Sequence, residues 1–226
     1  MPTALIVGAS RGIGRALAEE HLHRGWQVIA TVRKPAALAD LQAASGSALE
    51  VEVVDMIDWA GVDGLRKRLG GRSLDLLLVN AGIAGKQESR LSKITPEGFT
   101  EVMLVNALGP LRIADGFLDL VTRDGIVAVV SSGLGSIADN DSGSYEPYRM
   151  SKAALDMGLR SIAARDGARR RTFLAICPGW VSSDMGGPSA PVTPQQSARG
   201  ISDMLAARQG SGGIAFVDYQ NNALPW

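Results

Sequence analysis

Apolar runs of strand length recur along the chain at Ala4–Val7, Val28–Val32, Leu49–Val54, Leu74–Val79, Ile126–Val130, Phe173–Ile176 and Ile214–Val217. Most are continuous rather than alternating. A strand covered on both faces has no solvated side to mark, so this pattern predicts a buried parallel sheet. Helix-length segments fill the gaps near 12–24, 35–44, 58–69, 96–121, 147–166 and 194–207. The βαβα order predicts an α/β chain with a doubly wound parallel sheet of about seven strands and helices on both faces. Glycine, proline and serine concentrate in 178–194, which reads as a loop or flap rather than a linker. With no repeat or low-complexity tract, residues 1–226 read as one domain with a short substrate loop at 182–194.

Composition narrows the functional classes. Of 226 residues, 46% are apolar and 20% charged, a globular balance. Lysine plus arginine equals aspartate plus glutamate, 23 against 23, which argues against a nucleic-acid or acidic-membrane partner. One cysteine cannot close an internal disulfide and suits a reducing, cytoplasmic setting. Two histidines and that cysteine leave few metal ligands, so no metal is expected. The apolar run Thr3–Val7 is too short for a signal core or a membrane span, and no leader is expected.

The first strand runs into Gly8-Ala9-Ser10-Arg11-Gly12-Ile13-Gly14 and then a helical stretch. Gly8 permits a turn, Gly12 lets backbone approach a pyrophosphate, and Gly14 lets helix and strand pack closely. The helix N-terminus attracts the negative charge. With a buried strand before and a helix after, this reads as the glycine loop of a dinucleotide-binding Rossmann fold, a plain structural turn being the alternative. An acidic residue that would hold the ribose diol of NAD is missing, because no Asp or Glu lies between Glu20 and Asp40. The second strand ends in Arg33-Lys34 instead, and Arg11 lies inside the loop. Two guanidinium groups suit a 2′-phosphate, and no carboxylate is in view to repel it, so NADP(H) is expected over NAD(H).

Tyr148 and Lys152 are four apart in a helical segment and share a face. A phenol titrates near 10, too high to exchange protons readily at neutral pH. An ammonium beside it favours the phenolate, as would an oxidised nicotinamide, which makes the pair a general acid for an alkoxide. Ser131-Ser132 follow the fifth strand, where open sheets gather ligands, and a hydroxyl there can polarise a carbonyl. Asn80-Ala81-Gly82 end the fourth strand in the same way. Asn106 sits late in a helix before Gly109-Pro110; a buried amide there needs partners and could bind a water.

Together these pieces resemble the short-chain dehydrogenase/reductase family. The resemblance rests on Gly8–Gly14, Asp55, Asn80-Ala81-Gly82, Asn106, Ser132, Tyr148-x-x-x-Lys152 and Pro178-Gly179-x-Val181, in family order. Ser131–Ile137, Tyr148–Ala154, Pro178–Pro188 and Leu224-Pro225-Trp226 are similar to the C-factor-like, sniffer-type carbonyl reductases. The resemblance implies reduction of a small ketone or aldehyde by NADPH. Tyr148 would donate and accept the proton, Lys152 would lower its pKa and bind the nicotinamide ribose, and Ser132 would hold the substrate oxygen. Asn106 would hold the water of a proton relay. Asp55 and Met56 would lie at the adenine, and Asn80, Ala81 and Gly82 would line the cofactor. Pro178, Gly179, Val181 and Ser183 would meet the nicotinamide end, while Gly8, Ser10, Arg11, Gly12, Ile13, Gly14 and Arg33 would hold the phosphates. A homo-oligomer, dimer or tetramer, is also implied.

The sequence departs from the family pattern at Val7, where a threonine is common, and at Val79, where an asparagine is common. Ser183 replaces a threonine and keeps its hydroxyl. Of the two serines, Ser132 is favoured, because the second of such a pair is usually the catalytic one. Tyr145 has Arg149 rather than a lysine four residues after it, and is set aside as the catalytic tyrosine. Cys177 reads as a small buried filler, and His21 and His23 as solvated or capping residues. Arg169-Arg170-Arg171 reads as a solvated turn. Met150, Ala154 and Met157 make an apolar stripe that suits either the core or a partner helix. Trp180, Met185 and the residues up to 193 are expected to close over substrate. A dinucleotide-sensing signalling protein and a sugar-nucleotide epimerase are the competing classes. The intact Asn106, Ser132, Tyr148 and Lys152 set argues against the first, and the glycine spacing and short C-terminal region against the second.

Overall fold

Continuous apolar runs become strands because helices cover both faces of the sheet. The first strand, β1 (Thr3–Val7), sends Leu5 and Val7 into one core and Ala4 and Ile6 into the other. The computed structural model describes residues 1–80, 82–85, 90–167 and 170–226. The remaining strands are β2 (Gln27–Val32), β3 (Leu49–Val53), β4 (Leu74–Val79), β5 (Val121–Val130), β6 (Thr172–Cys177) and β7 (Gly213–Asp218). All pair in parallel, in the order β3-β2-β1-β4-β5-β6-β7. The helices are α1 (Gly12–His23), α2 (Ala39–Ser45), α3 (Trp59–Arg68), α4 (Pro96–Met103), α5 (Gly109–Gly116), α6 (Glu146–Asp166) and α7 (Pro194–Arg208). Residues of α3, α5 and α6 pack on one face of the sheet, and those of α1 and α7 on the other.

The strand order reverses direction between β1 and β4, which opens a crevice at their C-terminal ends. Every candidate residue outside the helices follows a strand at that same edge: Gly8 after β1, Arg33 after β2, Asp55 after β3, Asn80 after β4, Ser132 after β5 and Pro178 after β6.

One expected element is divided. The helix over 96–121 is α4, a π turn at Leu104–Leu108, and α5, which ends at Gly116. Phe117 closes that end in the core, and β5 begins at Val121 rather than Ile126. Val121 pairs with Leu74, and the register shifts before Ile126 pairs with Leu76. An apolar stretch bent by an irregularity carries the periodicity of neither helix nor strand.

His21 is neither solvated nor capping. It is 2% exposed, hydrogen-bonded to the Leu17 carbonyl at 2.8 Å and set edge-on to Trp26, and burial lowers its pKa. In the basic turn, Arg170 pairs with Asp124 and Arg171 with Asp166, while Arg169 lies outside the described residues. Met150 and Met157 are exposed while Ala154 packs against the core, so the stripe is divided between the two.

Candidate active site

The glycine loop is held from three sides. Gly8 takes a left-handed φ of 86°. Its N–H donates to Thr31 Oγ1 at 3.1 Å, and the Ala9 N–H donates to the Thr31 carbonyl at 2.9 Å. Thr31 of β2 thus supplies a hydroxyl that Val7 cannot. From β4, Asn80 donates its N–H to the Val7 carbonyl at 2.8 Å and its Nδ2 to the Gly8 carbonyl at 3.2 Å. A Cβ on Gly14 would fall 2.1 Å from the Gly8 oxygen, so only glycine lets α1 start this close to β1. Arg11 precedes α1 without a side-chain cap, and the first turn holds no acidic residue. The N–H groups of that turn are therefore free to meet an anion. A Cβ on Gly12 would find only the Ser183 Cβ, at 4.0 Å, so space lies before the loop for a pyrophosphate. Ser10 and Ile13 flank it, half-buried.

Arg33 is exposed at the end of β2. Met56 is buried beyond β3, and Asp55 Oδ1 accepts the Ile57 N–H at 3.2 Å, which folds that edge into a turn. Arg11 differs from expectation. The fold brings a carboxylate to it, Asp184 from the 182–194 loop, as an exposed ion pair. Ala81 lies outside the described residues.

The catalytic candidates collect on α6 and the segments facing it. Lys152 is 3% exposed, and its Nζ donates to the Val130 carbonyl at 2.8 Å. Burial pushes it down to about 8, against the pull of Asp156. Tyr148 is half-buried, and burial pushes its phenol up to about 12, with the Ser132 hydroxyl as the hydrogen-bonding neighbour that opposes the rise. Lys152 Nζ is 5.7 Å from the Tyr148 ring centroid. In the free chain, then, the ammonium rests on a carbonyl rather than on the phenol, and burial outweighs the effect expected of the pair. The phenol keeps its proton at neutral pH.

Ser131 and Ser132 point to different partners. Ser132 is extended and its Oγ accepts the Leu134 N–H at 3.2 Å beside Tyr148. Ser131 is 2% exposed and faces Asp156. Asn106 is fully buried in the π turn. Its Oδ1 accepts the Ile83 N–H at 2.8 Å, and its Nδ2 donates to the Ile83 carbonyl at 2.8 Å and to Ser151 Oγ at 3.0 Å. The side chain spends both amide protons on protein and braces 82–83 rather than offering a donor to a water. Pro110, four residues on, has no N–H for the Asn106 carbonyl. A Cβ on Gly82 would lie 3.3 Å from Asn106 Oδ1 and 3.5 Å from Lys152 Nζ, so bare backbone borders both side chains.

The 182–194 loop is stitched to itself and to the sheet. Ser197 Oγ donates to the Pro178 carbonyl at 2.7 Å, and Gly179, with φ of 85°, lies against the Tyr219 ring. Val181 is buried and bridges to Val192. Ser183 Oγ donates to the Val181 carbonyl at 3.3 Å and accepts the Gly186 N–H at 3.2 Å. Trp180 and Met185 remain exposed beside it. Cys177 is half-buried at the foot of the loop; its Sγ accepts the Gly133 N–H at 3.2 Å, and burial raises its pKa.

Sequence reasoning missed Arg149, next to Tyr148. Its guanidinium is buried, with Nε donating to the Ser144 carbonyl at 2.7 Å, Nη1 to the Leu134 carbonyl at 3.3 Å and Nη2 to Ser142 Oγ at 2.6 Å. It fastens the 133–145 segment to α6. Tyr145, at φ 58°, is held there in a conformation that costs a non-glycine residue energy. Arg149→Met should therefore loosen that wall. Losing charged hydrogen bonds costs about 1.5–3 kcal/mol, so the melting temperature should fall by about 3–12 °C in a calorimetric scan.

A family model described as short chain dehydrogenase matches residues 2–192. The C-signal protein of Myxococcus xanthus is 35% identical over 155 residues, 68% of this chain and 93% of that one. A carbonyl reductase from Pseudomonas aeruginosa PAO1, solved in complex with NADP, is 38% identical and superposes with a TM-score of 0.93, covering 100% of both chains. The carbonyl reductase Sniffer of D. melanogaster is 27% identical with a TM-score of 0.90, again over 100% of both. With the glycine loop, the strand-end residues and the α6 pair falling on one edge of this sheet, the chain belongs to the short-chain dehydrogenase/reductase family, near its C-signal and sniffer-type members.

Proposed function

We propose that this chain uses NADPH to reduce a ketone or aldehyde to an alcohol, with Tyr148 as general acid. One observation carries the reading: Ser132 and Lys152 flank Tyr148 at the edge where the glycine loop opens. A bound nicotinamide would supply the hydride. The chain supplies the rest. Ser132 donates its hydroxyl proton to the carbonyl oxygen, and Tyr148 Oη releases its proton to that oxygen as it becomes an alkoxide. Lys152 holds positive charge beside the phenol at neutral pH, since it titrates only at about 8. The Asn106 carbonyl, without an α-helical partner at Pro110, would anchor the relay water. Gly82 leaves room for the nicotinamide ribose at Lys152, Asp55 and Met56 would border the adenine, and Val181 and Ser183 would meet the carboxamide.

Arg33 and Arg11 support the 2′-phosphate reading, with Asp184 yielding Arg11 on binding. NADPH should bind at least about 10-fold tighter than NADH, and Arg33→Ala should close most of that gap. Direct fluorescence titration of both nucleotides measures it, and equal affinities in the parent chain would remove the preference.

The reading as a whole is tested by NADPH consumption across ketones, aldehydes and quinones. The similarity to C-signal supports a second reading, a signalling or dinucleotide-sensing protein with little turnover. Tight NADPH binding with no turnover on that panel favours it. Among the described residues no helix is long and apolar enough to cross a membrane. Exposed Leu108, Met150 and Met157 support assembly into a homo-oligomer, and the single cysteine supports a cytoplasmic location.

A further inference from the structure

Among the described residues, the proposed mechanism leaves one buried acid unused. Asp156 lies one turn beyond Lys152 on the same face of α6 and is 4% exposed. Neither of its carboxylate oxygens, nor Ser131 Oγ beside it, makes a well-directed hydrogen bond. The groups that face it come from each neighbouring element: Lys152 from α6, the Ser131 hydroxyl from the end of β5 and the Cys177 thiol from the end of β6. The Gly133–Gly135 turn contributes backbone alone, since a Cβ on Gly135 would lie 3.0 Å from Asp156 Oδ2 and 2.9 Å from Lys152 Cβ. Arg160, a further turn along, rests over the Trp226 ring at 5.3 Å. Among the described residues, Lys152 is the cation that acts on this carboxylate.

We propose that Asp156 is a positioning residue for Lys152: its carboxylate, sealed one turn behind the ammonium, keeps the Lys152 proton in place while Tyr148 works. Burial by itself drives a lysine neutral, and a carboxylate in the same dry setting restores the charged form. The two groups titrate close together, at and just above neutrality. Burial pushes the Asp156 carboxyl up to about 7 against Lys152 and Ser131, and pushes Lys152 down to about 8 against Asp156. They titrate as a coupled pair. As Asp156 ionises, its charge arrives in the pH range where Lys152 would otherwise begin to lose its own.

The inference rests on the role given to Lys152 above, and Asp156→Asn tests it, because the shape stays and the charge goes. The alkaline limb of the pH profile for carbonyl reduction should move to lower pH by about 0.5–1 unit. The cause is that Lys152, without its carboxylate, gives up its proton at lower pH. A uniformly lower rate with an unmoved limb would make Asp156 a structural residue only. A second readout needs neither cofactor nor turnover. The carboxyl is raised from 3.8 to about 7 on folding, so the folded chain holds this proton more tightly than the unfolded one. The parent chain should lose stability from this source as pH rises from about 4 to 7, and D156N should not. The melting temperatures should nearly coincide at pH 4 and differ in favour of D156N at pH 8, and that difference should widen when Lys152→Met removes the cation; a difference that Lys152→Met leaves unchanged would overturn the pairing. If the parent chain reduces no carbonyl compound, the reductase reading falls while the melting comparison still judges Asp156. If D156N does not fold, infrared spectra of the parent chain decide: the carboxylate stretch of this buried acid should replace its carboxylic-acid stretch by pH 8, and an acid stretch that persists at pH 8 would sink the proposal.

Discussion

Tyr148→Phe should cut kcat/KM for carbonyl reduction by at least about 10²-fold, and by as much as about 10⁴-fold, while NADPH binds nearly as before. The ring is half-buried against α6, and phenylalanine keeps that packing. What disappears is the one oxygen placed to release a proton. With the phenol pushed up to about 12, the parent chain begins each reduction with that proton in hand. Lys152 cannot substitute, because its Nζ is engaged with the Val130 carbonyl at 2.8 Å. Ser132 would still polarise the carbonyl, so some turnover should survive. The reduced cofactor's absorbance gives the rate, and its fluorescence on titration gives the affinity. Full activity in the variant would remove Tyr148 from the chemistry. Lost NADPH binding would mean that the phenol acts mainly on the cofactor.

The fold was legible wherever two-sided burial wrote itself into consecutive residues. Ala4, Leu5, Ile6 and Val7 read as a strand because alternate residues enter alternate cores and neither set needs to be polar. The glycine loop was legible because its three glycines are demanded by backbone geometry within one short segment. The site was less so, because its electrostatics are made by groups that only folding brings together. Arg11 and Asp184 are 173 residues apart, and no local pattern announces their ion pair. Thr31 looks like an ordinary strand residue until its hydroxyl is found under Gly8. The spacing of Lys152 and Asp156 was in plain view, yet spacing does not disclose that both are sealed from water. The same gap explains why the ammonium was expected on the phenol: helical periodicity places two side chains on a face but says nothing of the Val130 carbonyl waiting there. The π turn at Asn106 was hidden in an apolar helix, although Gly109-Pro110 is the irregularity that could have signalled it.

Gly14→Ala should damage both stability and cofactor binding, and the two losses have one cause. Its methyl would lie 2.1 Å from the Gly8 oxygen, 3.0 Å from the Gly8 carbonyl carbon and 2.5 Å from Asn80 Nδ2. Asn80 could swing aside, but Gly8 cannot, because its own left-handed turn is tied to Thr31. The start of α1 must therefore back away from β1. Overpacking of this kind costs about 1–3 kcal/mol, which is about 2–12 °C in melting temperature for a chain of this size. The same retreat carries the free N–H groups of the first turn away from the pyrophosphate position, and losing one such charge-assisted hydrogen bond should weaken NADPH binding by about 10–100-fold. Gly25→Ala is the control. Its φ of 80° makes alanine costly, yet no atom lies within 4 Å of the added methyl. That variant should lose stability and keep its affinity for NADPH. Should Gly14→Ala match Gly25→Ala in nucleotide titrations, differing only in its melting temperature, the N-terminal loop would have to be read as a structural turn and the dinucleotide sought elsewhere.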